Sequence, residues 1–402
     1  MSFEIALSGI NAINSQLDTI SNNIANTGTY GFKSSRANFA SMYAGAQPTG
    51  TEVGSLTQSI DIGGGVVTTG RGLDAAIQGR GFFVTRDSSG ATLFTRVGIF
   101  AVDKEGFVVD GFGRKVQGYA AAQAGALGAM GDITVPTGQI PASASGSVKY
   151  VGNLSADWTA PAIAAFDPTV PQSFNASTVT VAYDSLGAQH TVTQYFVRGA
   201  TNEVNVYLSF DGAPVSVDAG GQPLPTATLA FGSDGQLVSP VGAVPVALGT
   251  PAGADPLTVA IDYTGTTQFA GEATTTVNAA DGYASGTLIG VQLSEDGAVM
   301  AQYSNGQKVR AATIALATFP SENALVPASD TSWTVSNASG DALYFAPGSG
   351  MAGKLTPGAL EQSNVDMTSE LVTLMSAQRN YQANTKVIST ENEMVQTLMQ
   401  AL

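Results

Sequence analysis

Residues 3–24 read FEIALSGINAINSQLDTISNNI, a stretch in which apolar side chains recur in alternating steps of three and four. The recurring positions are Phe3, Ala6, Ile10, Ile13, Leu17, Ile20 and Ile24. This period places them in one stripe along an α-helix, as in a coiled coil. The opposite face carries Asn11, Ser15, Asp18, Ser21 and Asn22. The sequence therefore predicts an amphipathic helix that ends near residues 22–28 and needs a partner for its apolar stripe.

A second helix is predicted at the other end of the chain, where one row of apolar residues recurs every seven positions. That row consists of Leu374, Tyr381, Ile388, Val395 and Leu402. Its companion row is half polar and consists of Leu371, Gln378, Thr385, Asn392 and Met399. Polar residues inside a coiled-coil contact reduce stability but restrict register and partner number. We expect this helix to begin after Ser363, with Asn364 or Asp366 as its N-cap.

Two interpretations of these helices remain open. Periodicity alone favours packing on the chain's own core. The position of the helices at opposite termini favours pairing with each other and with helices of other copies. The second interpretation predicts a polymer interface that consists of Phe3, Ile10, Ile13, Leu17, Ile20, Ile24, Leu371, Leu374, Gln378, Tyr381, Thr385, Ile388, Asn392, Val395 and Met399.

The middle of the chain has the turn residues of β-hairpins. Asp-Gly and Asn-Gly pairs separate short runs rich in β-branched and aromatic residues, which predict strands. These runs are residues 82–84, 93–96, 100–103, 107–109, 178–181, 190–197, 287–293, 299–303 and 313–317. The predicted fold class is mixed α and mainly β. Terminal α-helices form a coiled-coil-like inner domain, and there are two β-rich domains, the outer one inserted into the inner one.

Charge separates one part of this middle. Residues 145–284 contain eleven acidic residues against Lys149 and Arg198, which is −9 of the formal charge of −15. We interpret this part as a solvated domain inserted into a host β-domain. The predicted domains are a terminal helical polymerisation domain (1–24 plus 367–402), connecting segments (25–70 and 356–366), a β-rich domain (71–145 plus 284–355) and an inserted acidic outer β-domain (146–283).

Composition argues against several function classes. The negative charge would repel nucleic acid and anionic membranes, and the absence of Cys excludes a thiol nucleophile. His190 is the only histidine, and the carboxylates at 103, 105, 295 and 296 lie in predicted turns, so we expect no catalytic residue, cofactor or metal. The first residues lack a basic n-region and no apolar run is long enough to span a bilayer. We therefore expect neither a cleaved secretory signal nor a transmembrane helix.

Segments at both ends of the chain resemble the flagellar rod and hook family of axial proteins. They are SNNIANTGTYGFKSSRANF at 21–39 and LEQSNVDMTSELVTLMSAQRNYQANTKVIST at 360–390, with GLDAAIQGRGFFV at 72–84 and FTRVGIFAVDKEGFVV at 94–109 between them. The motif positions are Asn22, Asn23, Asn26, Gly31, Phe32, Lys33, Arg36, Asn364, Val365, Asp366, Arg379 and Asn384. The resemblance covers residues 1–120 and 285–402, and the acidic middle carries no motif that we can place.

The resemblance implies a non-enzymatic structural subunit of a helical tube, whose terminal helices line a central channel and whose β-domains stack outside. The implied partners are copies of the chain itself, rod, hook cap and hook–filament junction proteins, and the flagellar type III export apparatus, which needs no cleaved signal peptide. The implied location is the extracellular hook attached to the basal body of a bacterial flagellum.

The inserted acidic domain favours the hook, the flexible joint that transmits torque from rod to filament, because rod members of the family are typically shorter. A distal rod protein with an inserted domain is the alternative. A surface adhesin and a secreted glycosidase are the other function classes. Lys33 and Arg36 would contact a neighbour's acidic surface or solvate a loop.

Overall fold

The computed structural model describes residues 2–121 and 127–401, so Leu402 of the predicted apolar row lies outside the described residues. The chain divides into two compact units by contact: unit 1 contains residues 1–137, 289–302 and 308–402, and unit 2 contains 138–288 and 303–307. The described residues form a long helix at each end and many short strands between them. The predicted class, mainly β with terminal helices, is confirmed.

The two helices are α1 (Ser2–Ala25) and α2 (Met367–Ala401). Asp366 is the N-cap of α2, because its carboxylate accepts hydrogen bonds from the backbone N–H groups of Thr368 at 2.9 Å and Ser369 at 3.4 Å. Of the two predicted caps, Asp366 therefore has this role. Neither helix is long and apolar enough to cross a membrane, within the residues that the structure describes.

The first strands of unit 1 are β1 (Ser35–Ala44), β2 (Gln47–Gln58), β3 (Val66–Thr68), β4 (Ala75–Gln78), β5 (Phe82–Arg86), β6 (Thr92–Thr95), β7 (Phe100–Val102), β8 (Val108–Asp110), β9 (Lys115–Ala121) and β10 (Leu127–Asp132). β1 and β2 form a long antiparallel hairpin that turns at Gly45, whose φ is +65°. The sequence does not predict this hairpin, because its side chains are mostly exposed and do not alternate between apolar and polar.

Unit 2 contains β11 (Ser147–Asn153), β12 (Ala176–Tyr183), β13 (Gln189–Arg198), β14 (Glu203–Phe210), β15 (Ala213–Pro214), β16 (Ala227–Phe231), β17 (Leu237–Ser239), β18 (Val244–Gly249), β19 (Leu257–Asp262) and β20 (Thr274–Ala280), with a short 3-10 helix at Pro171–Ser173. One sheet has the order β18-β19-β11-β20, and the other has the order β12-β13-β14-β16-β17 with β15 beside β14. Both sheets contribute to one core, in which Tyr150, Phe196 and Ile261 are buried. Unit 2 is therefore a β-sandwich.

The later strands are β21 (Leu288–Leu293), β22 (Ala298–Tyr303), β23 (Lys308–Ile314), β24 (Leu316–Thr318), β25 (Val326–Ala328), β26 (Ser332–Thr334), β27 (Leu343–Phe345), β28 (Lys354–Pro357) and β29 (Ala359–Glu361), with a 3-10 helix at Glu322–Ala324. The sheet of unit 1 includes β21-β22-β23-β9-β5-β6-β26-β25, so the early strands β9, β5 and β6 lie between two groups of late strands. Its core contains Phe82, Phe94 and Phe319 in edge-to-face contact. β28 pairs with β4 and β29 with β3, which returns the chain to the beginning of the unit immediately before α2.

Candidate assembly interface

The apolar stripe of α1 meets α2 of the same chain. Ile13 and Ile20 are buried together with Ala377. Leu17, Ile24 and Leu374 pack against this cluster and are half-buried. Farther along, the side chain of Asn384 lies beside Gly9, where an added Cβ would be 3.1 Å from its Nδ2 atom. The helices run antiparallel, because the end of α1 lies beside the beginning of α2.

The predicted interface residues divide into covered and uncovered groups within the single chain. Ile13 and Ile20 are buried, and Ile10, Leu17, Ile24, Leu374 and Ile388 are half-buried. The exposed group consists of Phe3, Leu371, Gln378, Tyr381, Thr385, Asn392, Val395 and Met399. All members of the half-polar row of α2 are therefore uncovered in the single chain, and Ala377 is the α2 residue buried against α1.

The β1–β2 hairpin covers another side of α1. The Ser8 hydroxyl oxygen accepts a hydrogen bond from the Thr51 backbone N–H at 3.2 Å, and Ala37 of β1 is buried. A cleft of about 690 Å³ remains between α1, α2 and the hairpin, and its lining includes Ile5, Ala12, Phe39 and Ala383. The sequence pattern does not predict the hairpin as part of this surface.

Two motif asparagines tie the helices to the start of the hairpin. Asn23 accepts from the Ser35 N–H at 2.9 Å and donates to the Ser35 carbonyl at 2.8 Å and to the Glu370 carboxylate at 3.0 Å. Asn364 accepts from the Ser34 N–H at 2.7 Å and donates to the carbonyls of Ser59 and Ile62 at 2.9 and 3.1 Å. Each amide joins two or more segments through directional hydrogen bonds, which fixes where the helices leave the rest of unit 1.

Lys33 is buried inside the chain, so for this residue both sequence interpretations, a contact with a neighbour and a solvated loop, are wrong. Its ammonium group lies 2.7 Å from Glu361 Oε1 and donates to the Ile62 carbonyl at 2.7 Å. Arg96 Nη1 lies 3.4 Å from Glu361 Oε2. Burial lowers the pKa of Lys33, and the charge of Glu361 opposes this shift. Arg36 is exposed and does not share this site.

The other motif residues have local roles. Asn26 donates to the carbonyl and side-chain oxygens of Asn22, both at 2.9 Å, where α1 ends. Gly31 adopts a φ of +68° close to the backbone of Arg96 and Val97, which leaves no room for a side chain. Phe32 and Val365 are half-buried, and Arg379 is exposed on α2. Glu361 is not predicted as a site residue, because a lone Glu at the end of a short strand gives no periodic signal.

Four parts of the sequence match described families. Residues 3–33 match "Flagella basal body rod protein", and residues 76–156 match "Flagellar hook protein FlgE/F/G D1 domain". Residues 153–283 match "Flagellar basal body protein FlaE D2 domain", and residues 356–401 match "Flagellar basal body rod FlgEFG protein C-terminal". The flagellar hook protein FlgE of Salmonella typhimurium is 37% identical over 407 residues, covering 99% of each chain. The chain belongs to the flagellar hook protein family.

Other members of the hook protein family match over similar lengths. The Escherichia coli K12 hook protein is 35% identical over 405 residues, and that of Treponema pallidum is 31% identical over 453 residues and covers 98% of this chain and 97% of its own. The crystal structure of the Helicobacter pylori hook protein FlgE2 has a TM-score of 0.51 at 14% identity, covering 72% of this chain and 98% of that one. That likeness supports the fold. The resemblance seen at the ends is confirmed, and the match at 153–283 extends it into the acidic middle.

In this hook-family chain, His190 lies in unit 2 between two carboxylates. Its Nδ1 is 2.7 Å from Asp211 Oδ2, and its Nε2 is 3.3 Å from Asp184 Oδ2. The hydrogen bond with Asp211 is the main cause that raises the pKa of His190. The two carboxylates lie on opposite sides of the ring, and the described residues contain no cluster of three or more His, Cys, Asp or Glu suited to a metal ion.

Proposed function

We propose that this chain self-assembles into the flagellar hook, the flexible tubular joint between rod and filament, and that α1 and α2 form its contact with other copies. Family membership supports a structural hook subunit in the flagellum. The observation that carries the assembly role is the uncovered apolar surface at one end of the helix pair.

That surface is formed by the beginning of α1 and the end of α2. Phe3, Ile5 and Leu7 are exposed on α1. On α2 the exposed apolar residues past the contact with Gly9 are Val387, Met394, Val395, Leu398 and Met399. A large number of exposed apolar side chains at one end of a helix pair usually marks a surface that a partner covers. Helices of neighbouring copies, which carry the same residues, would supply the missing contact.

The half-polar row of α2 supports a role in specificity. Gln378, Thr385 and Asn392 are exposed in the single chain, so they are free to meet a neighbouring helix. Polar groups at a helix–helix contact need matched partners, and they therefore favour one register over others. We propose that this row selects the register of neighbouring subunits in the tube.

The acidic segment 146–283 is proposed to be an outer module that adjusts curvature or stiffness without being required for the tube. Its excess of negative charge suits a solvated exterior, because copies in a tight inner shell would repel one another. In the proposed domain organisation, residues 1–24 plus 367–402 form the polymerisation domain and residues 71–145 plus 284–355 form the host β-domain. Residues 25–70 and 356–366 connect them.

The proposed partners are rod, hook cap and hook–filament junction proteins and the type III export apparatus, with export that needs no cleaved signal. Part of the apolar surface of α1 and α2 is covered only after assembly, which favours helices that stay unfolded during export. No enzymatic role is proposed. A distal rod protein with an inserted domain is the less supported alternative, because the matched relatives that cover nearly the whole chain are hook proteins.

Electron microscopy of the purified chain at high concentration tests the assembly role. We expect tubes from the full chain and none from a chain that ends at residue 391, because the truncation removes much of the uncovered surface. Calorimetry should give the same unfolding of the β units for both chains. Tubes from the truncated chain, or none from the full chain under any assembly condition, would contradict the proposal.

A second experiment tests the acidic module. Cells that lack their own hook protein would produce the chain with residues 146–283 replaced by a Gly/Ser linker. We expect tubes of altered curvature or stiffness. If the shortened protein folds and is exported but forms no tube, the segment is an essential assembly contact and the proposed division is wrong.

A further inference from the structure

Three segments of unit 1 converge on the side chain of Glu361, which belongs to a fourth. Its Oε1 atom accepts hydrogen bonds from the Lys33 ammonium at 2.7 Å and the Gly64 backbone N–H at 3.0 Å, and its Oε2 atom lies 3.4 Å from Arg96 Nη1. The Glu361 carbonyl accepts from the Gly31 N–H at 2.8 Å. The side chains of Lys33, Arg96 and Glu361 are 0%, 2% and 1% exposed.

These segments occupy the junction between the helix pair and the β-sheet of unit 1. Gly31 and Lys33 follow α1, Gly64 follows the hairpin, and Glu361 ends the last strand before α2. Arg96 follows β6 and stacks on Phe82 of the sheet core, with its guanidinium carbon 5.1 Å from the ring centre. The chain segments that link the helices to the sheet therefore all run past the Glu361 carboxylate.

A buried ion cluster permits less movement than an apolar contact would. Charged groups without water need their partners at hydrogen-bond distance, whereas the hydrophobic contact of aliphatic side chains is non-directional. Hydrogen bonds of the side-chain amides also restrain the end of α1 and the segment before α2. The Asn23 amide binds Ser35, and the Asn364 amide binds Ser34. The junction thus has a fixed geometry set by directional bonds.

We infer that Glu361 is a positioning residue that holds the helix pair at one angle to the sheet of unit 1, so that bending of the assembled tube is taken up elsewhere. This inference rests on the proposed hook function. In a tube that transmits torque, force that passes between the helices and the sheet of one subunit must cross this junction. A loose junction would let the helix pair rotate relative to the sheet.

Hydrogen exchange of the full chain tests the junction without assembly. The variant Glu361→Gln removes the negative charge, and we expect a several-fold faster exchange of the Ser34 and Ser35 amides, with the amides of β5 and β6 less affected. The matched control is Val84→Ala, which weakens the buried core of the sheet and removes no hydrogen bond or ion pair of the junction. If Val84→Ala exposes the same two amides equally, the effect is one of general stability and the inference is wrong.

The mechanical consequence is measured on assembled tubes. We expect Glu361→Gln tubes to bend several-fold more easily in thermal-fluctuation microscopy than wild-type or Val84→Ala tubes. Equal stiffness of the three kinds of tube would overturn the inference.

If Glu361→Gln does not fold, Asn23→Ala, which removes three hydrogen bonds and no charge, should give faster Ser35 exchange and softer tubes. A wild-type chain that forms no tube refutes the proposed function, whereas the exchange measurement still decides the role of Glu361.

Discussion

α1 and α2 form a pair, but the chain covers their apolar residues to different extents. Along α1, Ala6, Ala12, Ile13 and Ile20 are buried. Within residues 367–400 of α2, Ala377 is the only buried side chain. α1 contacts both α2 and the β1–β2 hairpin, whereas α2 has 35 residues against the 24 of α1 and extends beyond it.

This difference in burial shows that a heptad pattern can serve packing within one chain or contact between chains. The pattern of α1 is largely satisfied inside its own chain, so it contributes to the stability of unit 1. The pattern of α2 is mostly unsatisfied, and a helix gains most of its stability from the packing of its apolar face. We therefore expect substitutions in α1 to unfold the helix pair and substitutions at the end of α2 to affect only association.

The largest effect is expected for Ile20→Asp. Ile20 is 4% exposed, so the substitution buries an unpaired carboxylate and should reduce the free energy of unfolding by about 3–5 kcal/mol. Helix content and chemical denaturation of the monomer report the loss, and tubes should not form. Ile20→Val is the matched control. A monomer of unchanged stability would show that α1 does not use Ile20 for its own packing.

Gly9→Leu should separate the helices where they approach closely. A side chain there would press on Asn384, and the overpacking should reduce the free energy of unfolding by about 1–3 kcal/mol. Gly28→Leu is the control, because nothing lies within 4 Å of a Cβ at that position. Equal stability of the two variants in thermal unfolding would mean that the α1–α2 contact does not extend to Gly9.

A smaller effect is expected for Asp366→Ala, which removes the N-cap of α2. Loss of this cap should reduce stability by about 1 kcal/mol and increase fraying of the first turn of α2. Circular dichroism and exchange of the Thr368 amide measure the change. Asp366→Asn retains an oxygen acceptor and should behave almost as wild type, and a loss as large as that of the Ala variant would argue against the cap.

The smallest effect on the monomer is expected for Met399→Asp. Met399 is 74% exposed, so the free energy of unfolding should change by less than about 0.5 kcal/mol. Tube formation should nevertheless weaken strongly, because the residue lies in the uncovered surface proposed to meet another copy. The control is Met399→Leu, which keeps the apolar character. Normal tubes from Met399→Asp would show that this end of α2 faces solvent in the polymer.

The candidate site was only partly predictable from sequence. The stripe Ile13, Leu17 and Ile20 follows from the helical period, and Asp366 follows from capping chemistry. The contact of Ala377 was not predicted, because a small residue contributes little to an apolar pattern although it lets helices approach closely. The β1–β2 hairpin was not predicted either, because mostly exposed strands show no alternation of apolar and polar residues.

The amino-acid sequence by itself determined the terminal helices, two candidates for the N-cap of α2 and many turns and strands of both units, because helical period, caps and turn residues act over a few neighbouring positions. Tertiary structure decided which face of α2 meets α1 and why Lys33 is buried. The partner of Lys33, Glu361, is 328 residues away along the chain, and the pairing of β28 with β4 and β29 with β3 brings the two segments together. Such contacts depend on the complete sheet, so no local pattern of charge or hydrophobicity specifies them.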